Sequence, residues 1–190
     1  MNAELMHEMG EHTVQDWLNE DPPPDGSKRE LILGYIRVSP SAGGPHQFIG
    51  DELRGMFRQV LRMAGSRGLY PVTAVNVKLS TARRTAVIPD VTILNTRPDD
   101  TIFVPQQVEL VAEIWSPGNT HHERSAKFDA YAQAGIRYFW TVELKGPVVH
   151  AYELRAGRYH LATTLRAGTT GTITAAPVPV KFDPAELVPE

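Results

Sequence analysis

The 190-residue sequence contains no cysteine. That excludes disulfides, thiolate zinc sites and cysteine nucleophiles, and it suits a cytosolic protein. No apolar run approaches the roughly 20 residues that a bilayer-crossing helix needs, so no membrane partner is expected. The opening "MNAELMHEMGEHTVQDWLNED" has no basic segment followed by an apolar stretch and does not read as a secretory signal. There is no glycine-rich phosphate loop, no GxSxG and no HExxH, which removes the commonest signatures of nucleotide, serine-hydrolase and zinc-protease chemistry. A strong charge of one sign is also missing, since the net charge is only -3.

That small net charge hides an uneven distribution. Residues 1–27 carry seven acidic side chains and no Lys or Arg, whereas the remainder carries 19 basic and 15 acidic residues. A mildly basic body with an acidic arm is compatible with a polyanionic partner. The expected organisation is an acidic helical extension over 1–27 followed by one domain over 28–190. The arm is a candidate cover for the basic body, or a docking element for a second copy in a homodimer.

Periodicity gives the elements. A short helix is expected over 13–20, ended by "EDPPPDGS", because three prolines and a glycine cannot continue it. "RELILGYIRVSP" reads as a strand. Residues 45–64 read as a helix with Ile49, Leu53, Met56, Val60 and Ala64 on one face and Arg54, Arg58 and Arg62 as a basic stripe on another. Three strands follow, "VTAVNVKLS", "AVIPDVTIL" and "QQVELVAEIW", the first two joined by a turn holding Arg83 and Arg84. Thr120 and Glu123 form a capping box that opens a helix running to Ala134, with Gly135 as its stop. "IRYFWTVEL" is an apolar strand, and "VVHAYEL", "YHLATTL" and "GTITA" suggest a meander before a proline-rich, irregular end. The class is α/β (α+β): a mixed sheet flanked by helices, with an αβββαβ core, an extra N-terminal strand and a C-terminal β-meander. The third core strand, its helix and the fourth strand make a parallel crossover.

Two apolar strands are interrupted by charge. "VIPDVTIL" places Pro89 and Asp90 inside an apolar run, and "VELVAEIWSP" places Glu113 between Ala112 and Ile114. Proline cannot donate to a ladder, and a buried carboxylate is expensive. If the two strands pair, Asp90 and Glu113 can meet at one end of the sheet. Two close carboxylates repel unless a cation lies between them, and oxygen ligands without cysteine favour magnesium or manganese. Lys127 lies on the crossover helix, on the face shared with Tyr131 and Ala134, where a lysine is unusual. From there it can reach the carboxylates. Solvated strand ends and an ordinary salt-bridged lysine are the alternative reading of the same three residues.

"PDVTIL", "VELVAEIWSP" and "HERSAKFDAYAQAGIRYFWTVE", with the upstream "HTVQDWLNEDPPPDGSKRELILGYIRVSP" and "HQFIGDELRGMF", resemble the Uma-two family of restriction-endonuclease-like proteins, within the PD-(D/E)xK nuclease superfamily. The resemblance covers roughly residues 12–155. It implies a restriction-endonuclease-like fold and metal-dependent phosphodiester hydrolysis, with DNA as the expected partner and Mg2+ or Mn2+ as the cofactor. Residue by residue, Asp90 is similar to the family's first metal carboxylate and Glu113 to its second. The backbone carbonyl of Ile114 is implied as a further ligand, and Glu30 matches an N-terminal glutamate that adds a carboxylate. The superfamily lysine two residues after the second acid is replaced by Trp115, and Lys127 matches the lysine that this family supplies from the next helix. His46 matches a family histidine at the start of its helix. Leu33-Gly34 stands where the family often has Asp-Gly. Arg54, Arg58, Arg62, Arg83 and Arg84 are candidates for phosphate contact. A catalytically silent binding module on the same fold is the alternative function.

Overall fold

Tight turns and sheet crossings shape the molecule more than its strand lengths do. The computed structural model describes residues 9–189. Residues 1–8, which hold Glu4 and Glu8 of the expected acidic arm, lie outside the described residues. Helix α1 (Val14–Asn19) is short and is capped at Thr13, whose hydroxyl accepts the Asp16 N–H while the Asp16 carboxylate accepts the Thr13 N–H. Its apolar residues Val14 and Trp17 bury against Leu31 and Ala86.

"RELILGYIRVSP" is a hairpin rather than one strand. Strands β1 (Lys28–Ile32) and β2 (Tyr35–Ser39) pair antiparallel about Leu33 and Gly34. Both turn residues have positive φ, 51° and 79°, the geometry that matches the twist of a two-residue hairpin. Leucine seldom adopts that conformation, which hides the turn in the sequence. Four bonds hold it: Gly10 N–H to the Leu33 carbonyl, His12 N–H to the Gly34 carbonyl, Gly34 N–H to the Arg84 carbonyl, and Leu33 N–H to the Thr85 hydroxyl.

Helix α2 (Gly44–Met63) carries Pro45 in its first turn and buries Ile49, Leu53, Phe57 and Leu61 at a constant spacing of four. Met56 and Val60 lie at the margin of that stripe and Ala64 is exposed, so the buried face is rotated from the one expected. Phe57 sets the rotation by meeting the Trp140 ring edge-on at 5.0 Å.

Strands β3 (Tyr70–Thr73), β4 (Asn76–Ser80), β5 (Thr85–Val87), β6 (Val91–Leu94), β7 (Ile102–Phe103) and β8 (Val108–Trp115) belong to two sheets. "VTAVNVKLS" breaks at Ala74 (φ 51°), and "AVIPDVTIL" breaks at Ile88, Pro89 and Asp90. β1, β2, β4, β5 and β7 form one sheet in the order β2-β1-β5-β4-β7. The second sheet runs β11-β10-β9-β8-β6-β3 and contains β9 (Tyr138–Glu143), β10 (Val148–Arg155) and β11 (Arg158–Arg166). The chain therefore changes between these sheets five times, and two of those crossings, β3 to β4 at Ala74 and β5 to β6 at Asp90, touch through the Ala74 N–H and the Asp90 carbonyl.

Helix α3 (His121–Ala134) opens on the Thr120–Glu123 capping box, stops at left-handed Gly135, and joins β8 to the parallel strand β9. After an irregularity beside Glu109, β8 alternates from Leu110 onward. Leu110, Ala112 and Ile114 pack with α2, whereas Val111 and Trp115 pack toward Tyr131 of α3 and the first sheet. Glu113 falls on the α3 side. At the C-terminus β9, β10 and β11 make a meander, but β12 (Gly171–Ile173) pairs with β13 (Val180–Phe182) instead of extending it. The proline-rich end is thus ordered: Phe182 stacks on Trp140, whose indole N–H donates to the Ala175 carbonyl at 2.7 Å. Among the described residues no helix is long and apolar enough to cross a membrane.

The hairpin turn gives a direct test of how residues 9–12 are attached. A Cβ on Gly34 would lie 2.3 Å from the Gly10 carbonyl oxygen, on a backbone of φ 79°. Gly34→Ala should cost about 1–3 kcal/mol for the backbone conformation alone. Denaturant unfolding measures that loss, and limited proteolysis should cut within residues 9–20 faster than in wild type. Wild-type stability and protection would contradict the packing of Gly10 on this turn.

Candidate active site

The two sheets part where Pro89 and Asp90 carry the chain from β5 to β6, and a cleft of about 800 Å3 opens there. Lys28 and Glu30 of β1, Arg37 of β2, His46 of α2, Asp90, Glu113, Ile114 and Lys127 all contribute to its walls.

Pro89 has no N–H to leave unpaired, and the Ile88 N–H is satisfied by Glu30 Oε1 at 2.8 Å. Asp90 then turns into the space that β6 leaves beside β8. The last β6–β8 pair is Val91 with Ala112. Beyond it, the Ile114 N–H donates to Asp90 Oδ2 at 2.8 Å instead of to a strand. The N–H and C=O of one strand residue point to the same side, so the Ile114 carbonyl also faces the edge vacated by β6. His46 Nε2 lies 3.2 Å from Asp90 Oδ2, and Lys28 Nζ lies 2.5 Å from Oδ1. Burial pushes the Asp90 carboxyl up, but the Lys28 ammonium and the His46 hydrogen bond more than reverse this and hold it well below the usual range. Asp90 is an anion at any ordinary pH.

Lys127 supplies the second focus. Its Nζ donates to Glu113 Oε1 at 2.9 Å and to Glu30 at 2.9–3.0 Å, and it lies 5.9 Å from the centre of the Trp115 ring. The Tyr131 hydroxyl also donates to Glu113 Oε1. Glu113 Oε2 accepts no hydrogen bond from the described residues. Burial raises the Glu113 pKa to about 7, the Lys127 ammonium opposes the rise, and the Asp90 and Glu30 carboxylates add to it. Lys127 itself is lowered by burial but raised further by Glu113 and Glu30, so it stays charged. Burial and the Glu113 charge keep the Tyr131 phenol protonated, in the state that donates. Arg124 fixes the start of α3 by a two-pronged ion pair to Glu143 of β9 at 2.6 and 3.2 Å.

The structure therefore brings Asp90, Glu113, Lys127, Glu30 and the Ile114 backbone into one cleft. It also adds residues that the periodicity did not single out. Lys28 stands two positions before Glu30 on the same face of β1, and that spacing was the available signal. Tyr131 stands one helical turn after Lys127. The arginines lie elsewhere. Arg54 reaches Asp51 at 3.5 Å, Arg58 and Arg62 are exposed, and none of the three lines the cleft. The Arg84 guanidinium donates to the Gly10 carbonyl at 2.7 Å, and Arg83 lines a separate cavity of about 380 Å3 with Lys78 and Gln133. His121 and His122 are exposed.

Where Asp90 and Glu113 meet, the donors are the carboxylates of Asp90, Glu113 and Glu30 and the Ile114 carbonyl, with the His46 imidazole engaged on Asp90 and no thiolate. That set fits a hard divalent cation. Among the described residues no three acidic or histidine side chains are grouped so as to hold an ion as they stand; Lys127 lies between Glu30 and Glu113, and Lys28 lies on Asp90.

The raised Glu113 carboxyl has a measurable sign. A folded pKa above the ordinary 4.5 contributes stability that is complete below 4.5 and lost as pH rises through about 7. Glu113→Gln cannot titrate, whereas the other groups titrate in both proteins. Without divalent ions, the stability of wild type relative to Glu113→Gln should fall by on the order of 3 kcal/mol from about pH 4.5 to about pH 8. Denaturant unfolding at a series of pH values measures this, and a flat difference would contradict the shift.

Comparison with known proteins supports the fold and identifies the family. A solved structure from Anabaena variabilis, described as "a putative nuclease belonging to DUF820", superposes with a TM-score of 0.72 at 16% identity. The match covers 93% of this chain and 97% of that one. At that identity the likeness shows a shared fold. No curated protein matches the chain. A family model described as "Uma2: Putative restriction endonuclease" matches residues 15–180, and the chain belongs to that family.

Proposed function

We propose that this chain is a divalent-metal-dependent endonuclease that hydrolyses phosphodiester bonds in DNA. The observation that carries this reading is the convergence of Asp90 and Glu113, from the two interrupted runs, with Lys127 on one cleft. Membership of a family described as restriction endonucleases supports the reaction class.

Asp90, Glu113 and the Ile114 carbonyl would hold the ion, with Glu30 one lysine away. A bound Mg2+ or Mn2+ supplies two things, a water acidic enough to attack at neutral pH and a positive charge beside the phosphate. The remaining work belongs to side chains of this protein. Asp90 stays ionised, because Lys28, His46 and the Ile114 N–H all favour its charged form. Glu113 keeps Oε1 for Lys127 and Tyr131, which leaves Oε2 turned to the cleft as a donor. Lys127 cannot serve as a base, because its pKa is raised. It holds a fixed positive charge where negative charge grows on the phosphate, and it orients a hydrogen-bonded water. Trp115, in the place of the superfamily lysine, forms the apolar floor under that ammonium.

The test is cleavage of plasmid DNA, with RNA alongside, in Mg2+, Mn2+ or EDTA. Cleavage should require the ion, and Asp90→Asn and Lys127→Ala should each lower the rate by about 100-fold or more. Saturating ion should also raise the melting temperature, at about 2.7 kcal/mol for 100 times Kd. DNA binding without cleavage under every ion would favour the silent module instead.

A further inference from the structure

With Asp90 and Glu113 taken as the ion-holding pair, as proposed above, Lys28 is in the way. The Ile114 N–H and His46 occupy Asp90 Oδ2, so Oδ1 is the oxygen left for an ion, and the Lys28 ammonium sits 2.5 Å from it. An ammonium and a divalent cation on one carboxylate oxygen repel each other strongly.

The two lysines of the cleft are held differently. Lys127 is clamped by two carboxylates from two sheets and is almost fully covered, with its side chain 11% exposed. Lys28 has one partner, Asp90, and its side chain is 24% exposed. If one cation must yield, it is Lys28. A place for it to go is already built. On the antiparallel hairpin, Ser39 lies opposite Lys28 and Arg37 lies opposite Glu30, and all four line the same cleft. Arg37 makes no ion pair among the described residues, so its guanidinium stands free beside the path that a displaced Lys28 would take.

We propose that Lys28 is a tethered surrogate cation. Without a divalent ion it neutralises Asp90 and keeps the seam between the sheets closed. When the ion binds, Lys28 leaves Asp90 and, beside Arg37, forms a cationic wall that grips the non-bridging oxygens of a phosphodiester.

Calorimetric Mg2+ and Mn2+ binding tests the displacement directly. Lys28→Met should bind the ion about tenfold tighter or more than wild type, the scale on which close charge pairs act on binding. Arg37→Ala should leave ion affinity unchanged. In Ca2+, both variants should bind a DNA duplex several-fold more weakly. A wild type that binds the ion, beside a Lys28→Met that binds it no tighter, overturns the displacement while the metal reading stands. If neither protein binds any ion, both readings fall together. A second measurement needs no variant. Among the five lysines of the chain, Lys28 alone should become several-fold more reactive to an amine-acylating reagent when Mg2+ is added, as read by mass spectrometry. Unchanged labelling of Lys28 in wild type that has bound the ion overturns the proposal.

Discussion

Among the described residues Lys127 is the one group that touches both sheets through ionic bonds. Glu30 belongs to β1 of the five-stranded sheet, Glu113 belongs to β8 of the six-stranded sheet, and α3 brings the ammonium between them. Remove that charge and two buried carboxylates face each other with only a tyrosine hydroxyl and a backbone N–H for support. Breaking a buried ion pair by deleting one partner typically costs about 3–5 kcal/mol, yet replacing the whole pair with apolar side chains is often neutral or favourable. Stability alone therefore does not account for charges in a layer that also holds Val111, Trp115 and Phe139. The proposed chemistry of the cleft would account for them. The fold carries an unfavourable arrangement at the position where its reaction would need charge in a dry place.

Pro89 and Asp90 have a structural reason that complements the chemical one. A continuous strand from Thr85 to Leu94 would pair on both flanks and leave no opening. The break sends β5 to one sheet and β6 to the other, and the Asp90 carbonyl is tied to Ala74 at the neighbouring crossing. Two donors at the break are then reused. Ile88 N–H goes to Glu30, and Ile114 N–H goes to the Asp90 side chain. The same residues that close the hydrogen-bond account at the seam line the cleft. Mutating them for chemistry therefore disturbs the packing of two sheets, and activity losses at Glu30 need a stability measurement beside them.

Much of this was legible in the sequence, and the parts that were not share a cause. The α3 boundaries followed from Thr120, Glu123 and Gly135, because capping is local and its donors and acceptors lie within four residues. The β8 alternation from Leu110 followed from a period of two, and its parallel partner β9 followed from the crossover helix between them. The strand breaks were hidden because residues at the breaks, Leu33 and Ala74, adopt positive φ without the glycine or asparagine that announces it. Tertiary bonds enforce those turns, as Gly10 and Thr85 do for Leu33, and such bonds leave no local trace. The same holds for the α2 face, where Phe57 and Leu61 are selected by the position of Trp140. At the site, Asp90, Glu113 and Lys127 stood out because each is a charge in an apolar pattern. Lys28 did not, since it sits in the charged triplet Lys28-Arg29-Glu30, where alternation sends Arg29 outward to Glu20 and the other two inward.

Charge placement separates attraction from chemistry on the proposed reading. The arginines of α2 lie outside the cleft, exposed or paired with Asp51, and at physiological salt such charges act over a Debye length of about 8 Å. They can draw a polyanion toward the protein, but they cannot neutralise a phosphate lying against Asp90 and Glu113. Among the described residues Lys28, Arg37 and Lys127 are the lysines and arginines that line the cleft, and two of these are already engaged by its carboxylates. A phosphodiester entering this cleft without a divalent ion would meet five carboxylates and one unengaged guanidinium. The electrostatics of the folded chain thus oppose binding of the backbone at the reaction centre until the balance of charge is changed from outside.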